Sequence, residues 1–280
     1  MSIIVRVKNK IQFEEALRFA RVDQLIADFG CASLDIENIR KEHPEKKIYL
    51  QLPDVLREKK AESVKKIAEK AFLFDGIVIK NFDELGLLLE LVNGEQKLSD
   101  DFQVIGDSFL YAYNLSAISF YRGFFPQMKF ILPDELTDRE NAKLMAEAEK
   151  ECGVPSEDFI YQLYGYQPLM ITNQCLNRNY AGCEKPLLRF EDEQKRQFFI
   201  TSECGQCYDI IYNGQPTVMM DKMSETDEGF EIDGIVYPNI MFDFTIEPKE
   251  EIARILSGTP EGENELVSNF TRGHHYKGVE

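Results

Sequence analysis

Short apolar runs alternate with amphipathic stretches along the first two-thirds of the chain. The apolar runs predict strands at Ile3–Val7, Gln24–Asp28, Lys47–Leu52, Gly76–Lys80, Phe102–Gly106, Lys129–Leu132 and Asp158–Leu163. Most carry apolar residues at consecutive positions, the pattern of parallel strands buried on both faces. Between them the spacing turns helical. Gln12–Ala20 places Phe13, Ala16 and Leu17 on one face, and Val55–Phe72 does the same with Val64, Ile67, Ala68 and Ala71. Thr137 followed by Glu140 is a capping box that opens a helix running to about Cys152.

Seven βα units in series predict a parallel sheet, and an eighth closes such a sheet into a barrel. The eighth strand is displaced. Ile240–Ile246 reads as a strand and Pro248–Leu256 as the helix after it, with Gly258 as its stop. The expected fold is therefore α/β: a (β/α)8 TIM-type barrel with a cysteine-rich insertion between strands 7 and 8. Residues 1–280 form a single barrel domain, and 171–239 form the insertion. Phe198–Thr201, Asp209–Tyr212 and Thr217–Met220 are its predicted strands, with a turn signal at Asn213-Gly214 between the last two.

The length of 280 residues and a hydrophobic content of 44% fit one large core. No apolar run approaches the ~20 residues that span a bilayer, and the N-terminus lacks the features of a signal peptide, so no membrane partner and a cytoplasmic location are expected. A net charge of -17 argues against nucleic-acid binding by overall charge. Local basic groups remain at Arg178, Lys185, Arg189, Lys195 and Arg196, and in the tail from Arg272 to Lys277.

Four of the six cysteines fall within 33 residues, as C-x7-C-x20-C-x2-C: Cys175, Cys183, Cys204 and Cys207. Two thiolates two residues apart can face one ion, and two more complete a set suited to zinc or to an iron–sulfur cluster. Spacing alone leaves both open. Cys31 and Cys152 stand apart and read as inert thiols.

Barrel enzymes carry their working groups at the C-terminal ends of strands. Arg6, Asp28, Gln51, Lys80, Asp107, Glu135 and Tyr164 are the candidates by that rule. Glu135 with Lys80 would make a proton-transfer pair. His274 and His275 can serve as acid, base or metal ligand. No Ser-His-Asp order, HExxH or Gly-rich phosphate loop is present.

Several of these residues also resemble a known family. The run from Tyr164 to Met170, Cys175, Gly182-Cys183, Cys204-x-x-Cys207 with Ile211-Tyr212-Asn213, and the closing Thr271-Arg272-Gly273-His274-His275-Tyr276-Lys277-Gly278-Val279 look like the collagenase-like peptidase family of unassigned catalytic type. Asn114 and Pro133-Asp134-Glu135-Leu136 fit the same pattern. The resemblance implies a peptidase by name. Through better-understood relatives it implies a 4Fe-4S cluster on Cys175, Cys183, Cys204 and Cys207, in oxygen-independent hydroxylation of RNA or quinone precursors. RNA or a protein subunit is then an expected partner, and the chain an enzyme, an enzyme subunit or one half of a longer protein. The second reading, of a different class, is a non-catalytic scaffold barrel with a structural four-cysteine zinc site.

Overall fold

The computed structural model describes residues 1–31, 33–56, 62, 66, 69–93, 99, 101–181, 187–203, 207–258 and 269–277. Seven parallel strands come first: β1 (Ser2–Val7), β2 (Gln24–Ala27), β3 (Lys47–Gln51), β4 (Gly76–Ile79), β5 (Gln103–Gly106), β6 (Lys129–Ile131) and β7 (Phe159–Gly165). The insertion then adds β8 (Pro168–Thr172), β9 (Leu187–Glu191), β10 (Gln197–Glu203), β11 (Tyr208–Asn213), β12 (Thr217–Val218), β13 (Met223–Glu225), β14 (Phe230–Ile232) and β15 (Ile235–Tyr237). After it, β16 (Asn239–Asp243) lies parallel to both β7 and β1, and β6 pairs with β7. The sheet is thus closed, and the chain is a (β/α)8 TIM-type barrel with its insertion between the seventh and eighth barrel strands.

One apolar residue from each barrel strand meets at the barrel centre: Ile4, Ile26, Tyr49, Val78, Ile105, Ile131, Ile160 and Met241. The alternate residues point outward into a second, larger core under the helices. Those helices are α1 (Lys10–Leu17), α2 (Ile36–Glu42), α3 (Phe82–Val92), α4 (Leu115–Arg122), α5 (Asp138–Cys152), α6 (Leu176–Ala181), which belongs to the insertion, and α7 (Lys249–Ser257). Asn9, Asp35, Asn81, Asn114 and Thr137 cap the first five, each side-chain oxygen accepting a backbone N–H of the first turn. The Thr137–Glu140 capping box forms as predicted, and Gly153 ends α5 in a left-handed conformation, φ 65°.

Two expectations change. Of the helix predicted over Val55–Phe72, Lys70–Leu73 is a 3₁₀ turn, and most of the remainder lies outside the described residues. Asn213-Gly214 does end β11, but the strand after it does not fold back as a hairpin. β12 instead runs antiparallel to β7, with Thr217 opposite Gly165 and Val218 opposite Tyr164. There it covers the part of β7 that the short β6 leaves unpaired.

The insertion makes a four-stranded sheet in the order β8-β11-β10-β9 and a three-stranded one, β13-β14-β15. Its small core of Phe199, Tyr208, Ile210 and Tyr212 packs on Val55, Tyr166 and Ile246, which belong to barrel loops. The four-stranded sheet therefore lies over the C-terminal mouth of the barrel. Among the described residues no helix is long and apolar enough to cross a membrane.

Candidate functional site

The mouth follows from the two-residue period of a strand. Two positions beyond each inward apolar residue of the central layer comes the next inward residue: Arg6, Asp28, Gln51, Lys80, Asp107, Pro133, Gln162 and Asp243. Seven of these eight are polar, and all seven are buried. Burial of so many polar groups is tolerable only when they satisfy one another.

They do so largely as ion pairs. Arg6 forks between Asp107 at 2.5 Å and Asp243 at 3.2 Å. Lys8 reaches Asp28 at 2.9 Å, and Gln51 Nε2 donates to the same carboxylate at 2.9 Å. Lys80 reaches Asp54, from the loop after β3, at 2.6 Å. Burial works against the charge on Lys80, but Asp54 and Glu84 outweigh it and raise its pKa. Burial likewise opposes ionisation of Asp54, yet Lys80 and Lys8 hold its carboxyl down at about 2. The charges do not balance. Asp134, half-buried at the rim, is raised to about 6, by burial first and the Asp107 charge second. Asp243 is also raised, by burial first and then by like-charged Asp107 and Asp28. Glu84, fully buried behind Lys80, is raised to about 8 by burial, and its Oε2 accepts the Lys80 backbone N–H at 2.5 Å.

The insertion sheet closes this layer from above. The Tyr208 hydroxyl accepts the Asp54 N–H at 2.9 Å and donates to Asp54 Oδ2 at 3.3 Å. Phe199 stacks on Tyr212 at 5.0 Å, and Tyr212 lines the cavity beneath. That cavity measures about 30 Å³, on the scale of one or two waters. A second cleft of about 60 Å³ adjoins it, sharing Ser108, Phe109, Asp134, Gln167 and Pro168, and leads outward past Tyr111, Tyr113 and Glu135.

The cysteines belong to one end of the covering sheet. Thr172 pairs with Asp209, Glu203 with Tyr208, and Thr201 with Leu187. The C-terminal ends of β8 and β10 and the N-terminal ends of β9 and β11 therefore lie together. Cys175 follows β8, and the Leu176 N–H beside it donates to Asp209 Oδ2 at 2.6 Å. Cys207 precedes Tyr208 in a left-handed conformation, φ 59°, its N–H donating to Glu203 O at 2.7 Å. Cys183 and Cys204 lie outside the described residues. In sequence they stand just before β9 and just after β10. Among the described residues no three metal-binding side chains converge. Cys31 is buried, its thiol pushed up to about 12 by burial, and Cys152 sits beside the Ser119 hydroxyl at 3.2 Å, both apart from this sheet end.

Five of the strand-end candidates, Arg6, Asp28, Gln51, Lys80 and Asp107, converge in the mouth. The other two do not. Glu135 is exposed, accepts a hydrogen bond from the Tyr113 hydroxyl and makes no pair with Lys80, because Asp54 already holds that ammonium. Tyr164 points out of the barrel and donates to Glu247 at 2.8 Å. Between β7 and β16 the pairing slips after Met241, which faces Gln162, so that Phe242 faces Tyr164. The extra residue turns Tyr164 outward. His274 is exposed, with Nδ1 3.3 Å from Lys277 O, and lines neither the cavity nor the cleft. His275 is buried against Asp138 at 2.7 Å and Tyr161 at 3.0 Å, where it fastens the tail to the start of α5. Of the basic groups, Lys195, Arg196 and Arg272 are matched by Glu191, Asp192 and Asp221, and Lys185 lies outside the described residues. Sequence reasoning missed Lys8, Asp54, Asp134, Gln162 and Asp243. The two-residue period counted from Ile160 and Met241 finds the last two.

No family model matches the chain, and no curated protein matches it. Among solved structures, a GH18 chitinase from Pseudoalteromonas aurantia superposes over 92% of this chain and 99% of its own, with a TM-score of 0.45 and 11% identity.

Proposed function

We propose that this barrel carries a metal centre on Cys175, Cys183, Cys204 and Cys207, a 4Fe-4S cluster in the first instance, and serves as an enzyme or enzyme subunit that modifies RNA or a small aromatic acceptor. One observation supports the centre most: the described strand ends that border the four cysteines all belong to one end of the covering sheet. The donor chemistry agrees, since four thiolates suit iron–sulfur or zinc and leave no place for hard cations. A bound cluster would supply one-electron chemistry. The chain's own part is to hold the mouth dry, and to keep Lys80, Asp54 and Asp134 in place for orienting an acceptor or moving a proton. The class of reaction rests on resemblance of the cysteine block and the Thr271–Lys277 tail to the collagenase-like peptidase family.

Anaerobically purified protein is expected to be brown, with a broad visible absorbance band and about four irons and four sulfides per chain. Cys204→Ser is expected to lose the colour and most of the iron. Colourless protein with one zinc would instead favour the scaffold reading. The small core of the insertion favours that reading too: its four buried side chains gain from a cross-link at one sheet end.

General proteolysis is not expected. All three histidines have partners other than a Ser or Cys nucleophile: His43 with Glu45, His274 with Lys277 O, and His275 with Asp138. Ser108 at the mouth donates to Asp107 at 3.3 Å, a contact with no imidazole to take its proton. Purified protein should leave gelatin and fluorogenic peptides intact. Cleavage by the wild type that is lost in Glu135→Ala or Cys204→Ser would show that the mouth hydrolyses peptides.

A further inference from the structure

We propose that the cleft between the loops after β5 and β6 is a binding site for a slender primary ammonium, supplied by a free aliphatic diamine or by a lysine side chain. The site goes beyond the cysteine centre and does not rest on it.

The outer part of the cleft has the chemistry of a cation site. Tyr111 and Tyr113 meet edge to face at 5.4 Å, and Phe109 stands at the passage inward. Aromatic faces attract ammonium groups through the negative face of the ring. Glu135 is fixed by the Tyr113 hydroxyl, and Asp134 lines the same wall. Tyr111 holds a left-handed backbone, φ 54°, while the residue is 56% exposed. A non-glycine residue there costs free energy, and such strain concentrates at working sites.

The inner cavity supplies an independent sign of a missing partner. Gln51 is 1% exposed; its Nε2 is bound to Asp28, but its Oε1 has no partner. Asp243 Oδ1 is likewise without one. Both residues line the cavity, and both free atoms are acceptors. Arg6 Nε also lacks a partner; a water beside the ammonium satisfies that single donor. An ammonium head has about the girth of a water, which is what the cavity of about 30 Å³ admits.

Charge excludes the opposite assignment. The three mouth cations, Arg6, Lys8 and Lys80, are each already salt-bridged. They face five carboxylates, Asp28, Asp54, Asp107, Asp134 and Asp243, so an entering anion meets a net negative field while a cation relieves it. The Asp134 and Asp243 carboxyls are raised by burial first and by the neighbouring Asp107 charge after it, and an ammonium drawing them back down releases protons on binding.

Calorimetric titration of the full chain tests this with three probes: 1,5-diaminopentane, Nα-acetyl-lysine methylamide, and hexanoate as an anion of similar girth. Saturable binding of at least one amine is expected, with none of hexanoate. The tighter amine by tenfold or more identifies the source, and equal binding supports the shared ammonium chemistry. Glu135→Gln and Tyr111→Ala alter only exposed groups, so they keep the fold, which circular dichroism and Tm verify. Each should weaken the amine about fivefold or more. Asp134→Asn should cut the proton release measured across buffers of different ionisation heat. Failure of both amines to bind, hexanoate binding as well as they do, or affinities indifferent to all three substitutions would overturn the proposal.

Discussion

Arg6→Met is expected to destabilise the barrel by about 3–5 kcal/mol, the cost of leaving buried carboxylates without their partner. Arg6 is 6% exposed and is the side chain that neutralises both Asp107 and Asp243. Without it the two carboxylates share a nearly dry layer, and one must take a proton or draw in water. At about 2–4 °C per kcal/mol for a chain near this size, Tm should fall by roughly 10 °C. The loss should be larger at pH 8 than at pH 5, where protonation relieves the pair. Arg6→Lys should fall between, because a single ammonium cannot fork to two carboxylates. The triple variant Arg6→Met, Asp107→Asn, Asp243→Asn should recover most of the loss, since it removes the stranded charges as well. Differential scanning calorimetry at the two pH values decides this. A single Arg6→Met variant melting within 2 °C of wild type would mean that water reaches the layer freely and that the mouth is not dry.

The same layer shows what the sequence made legible. Strands buried on both faces print as apolar runs, so all eight barrel strands could be read to within a few residues at each end, including Ile240–Ile246 beyond the insertion. Polar residues at the ends of those runs then marked Arg6, Asp28, Gln51, Lys80 and Asp107. Glu135 and Tyr164 stand outside that layer for two different reasons. On β6 the inward position after Ile131 is Pro133, which offers no polar side chain, and the next acids belong to the loop. On β7 a register slip at Leu163 reverses the facing from Tyr164 onward, and nothing local in Tyr161-Gln162-Leu163-Tyr164 announces it. Asp54 comes from a loop whose course depends on the closed barrel, so no period marks it, whereas Lys8 continues the Ile4–Arg6 period one step past the end of β1. The covering sheet was half legible. Its inner pair, β10 and β11, has the aromatic residues of a packed sheet, whereas β8 exposes Leu169, Met170 and Ile171 and starts at a proline, so it reads as a loop.

Raising the pH from 5.5 to 8.5 is expected to lower the stability of this protein, and Glu84 is the largest single reason. Its carboxyl is fully buried and its pKa is raised to about 8 by burial. Glu203 and Glu247 are raised to about 7, and Asp134 to about 6, in each case with burial as the first cause. In the unfolded chain such groups release their protons near pH 4–4.5. Between that pH and about 8 the folded state therefore binds more protons than the unfolded state, and stability falls as pH rises. Asp54 has the opposite sign: held down at about 2, it contributes stability above about pH 4 that is lost as the pH falls toward 2. The optimum is thus expected between about pH 4 and 6, with Tm falling on the order of 5–10 °C by pH 8.5. Glu84→Gln isolates the main contributor. Its amide oxygen can still accept the Lys80 N–H that Glu84 Oε2 now accepts, and it carries no ionisable group. The variant should exceed wild type by only about 1 kcal/mol at pH 5.5, about one pH unit above the unfolded pKa. At pH 8.5 it should exceed wild type by about 4–5 kcal/mol, because only wild type must then hold either a bound proton or a buried charge. Urea unfolding at the two pH values measures the difference directly. Equal stabilities of the two proteins at pH 8.5, alongside equal stabilities at pH 5.5, would show that Glu84 ionises at no cost and that the wall behind Lys80 is wet.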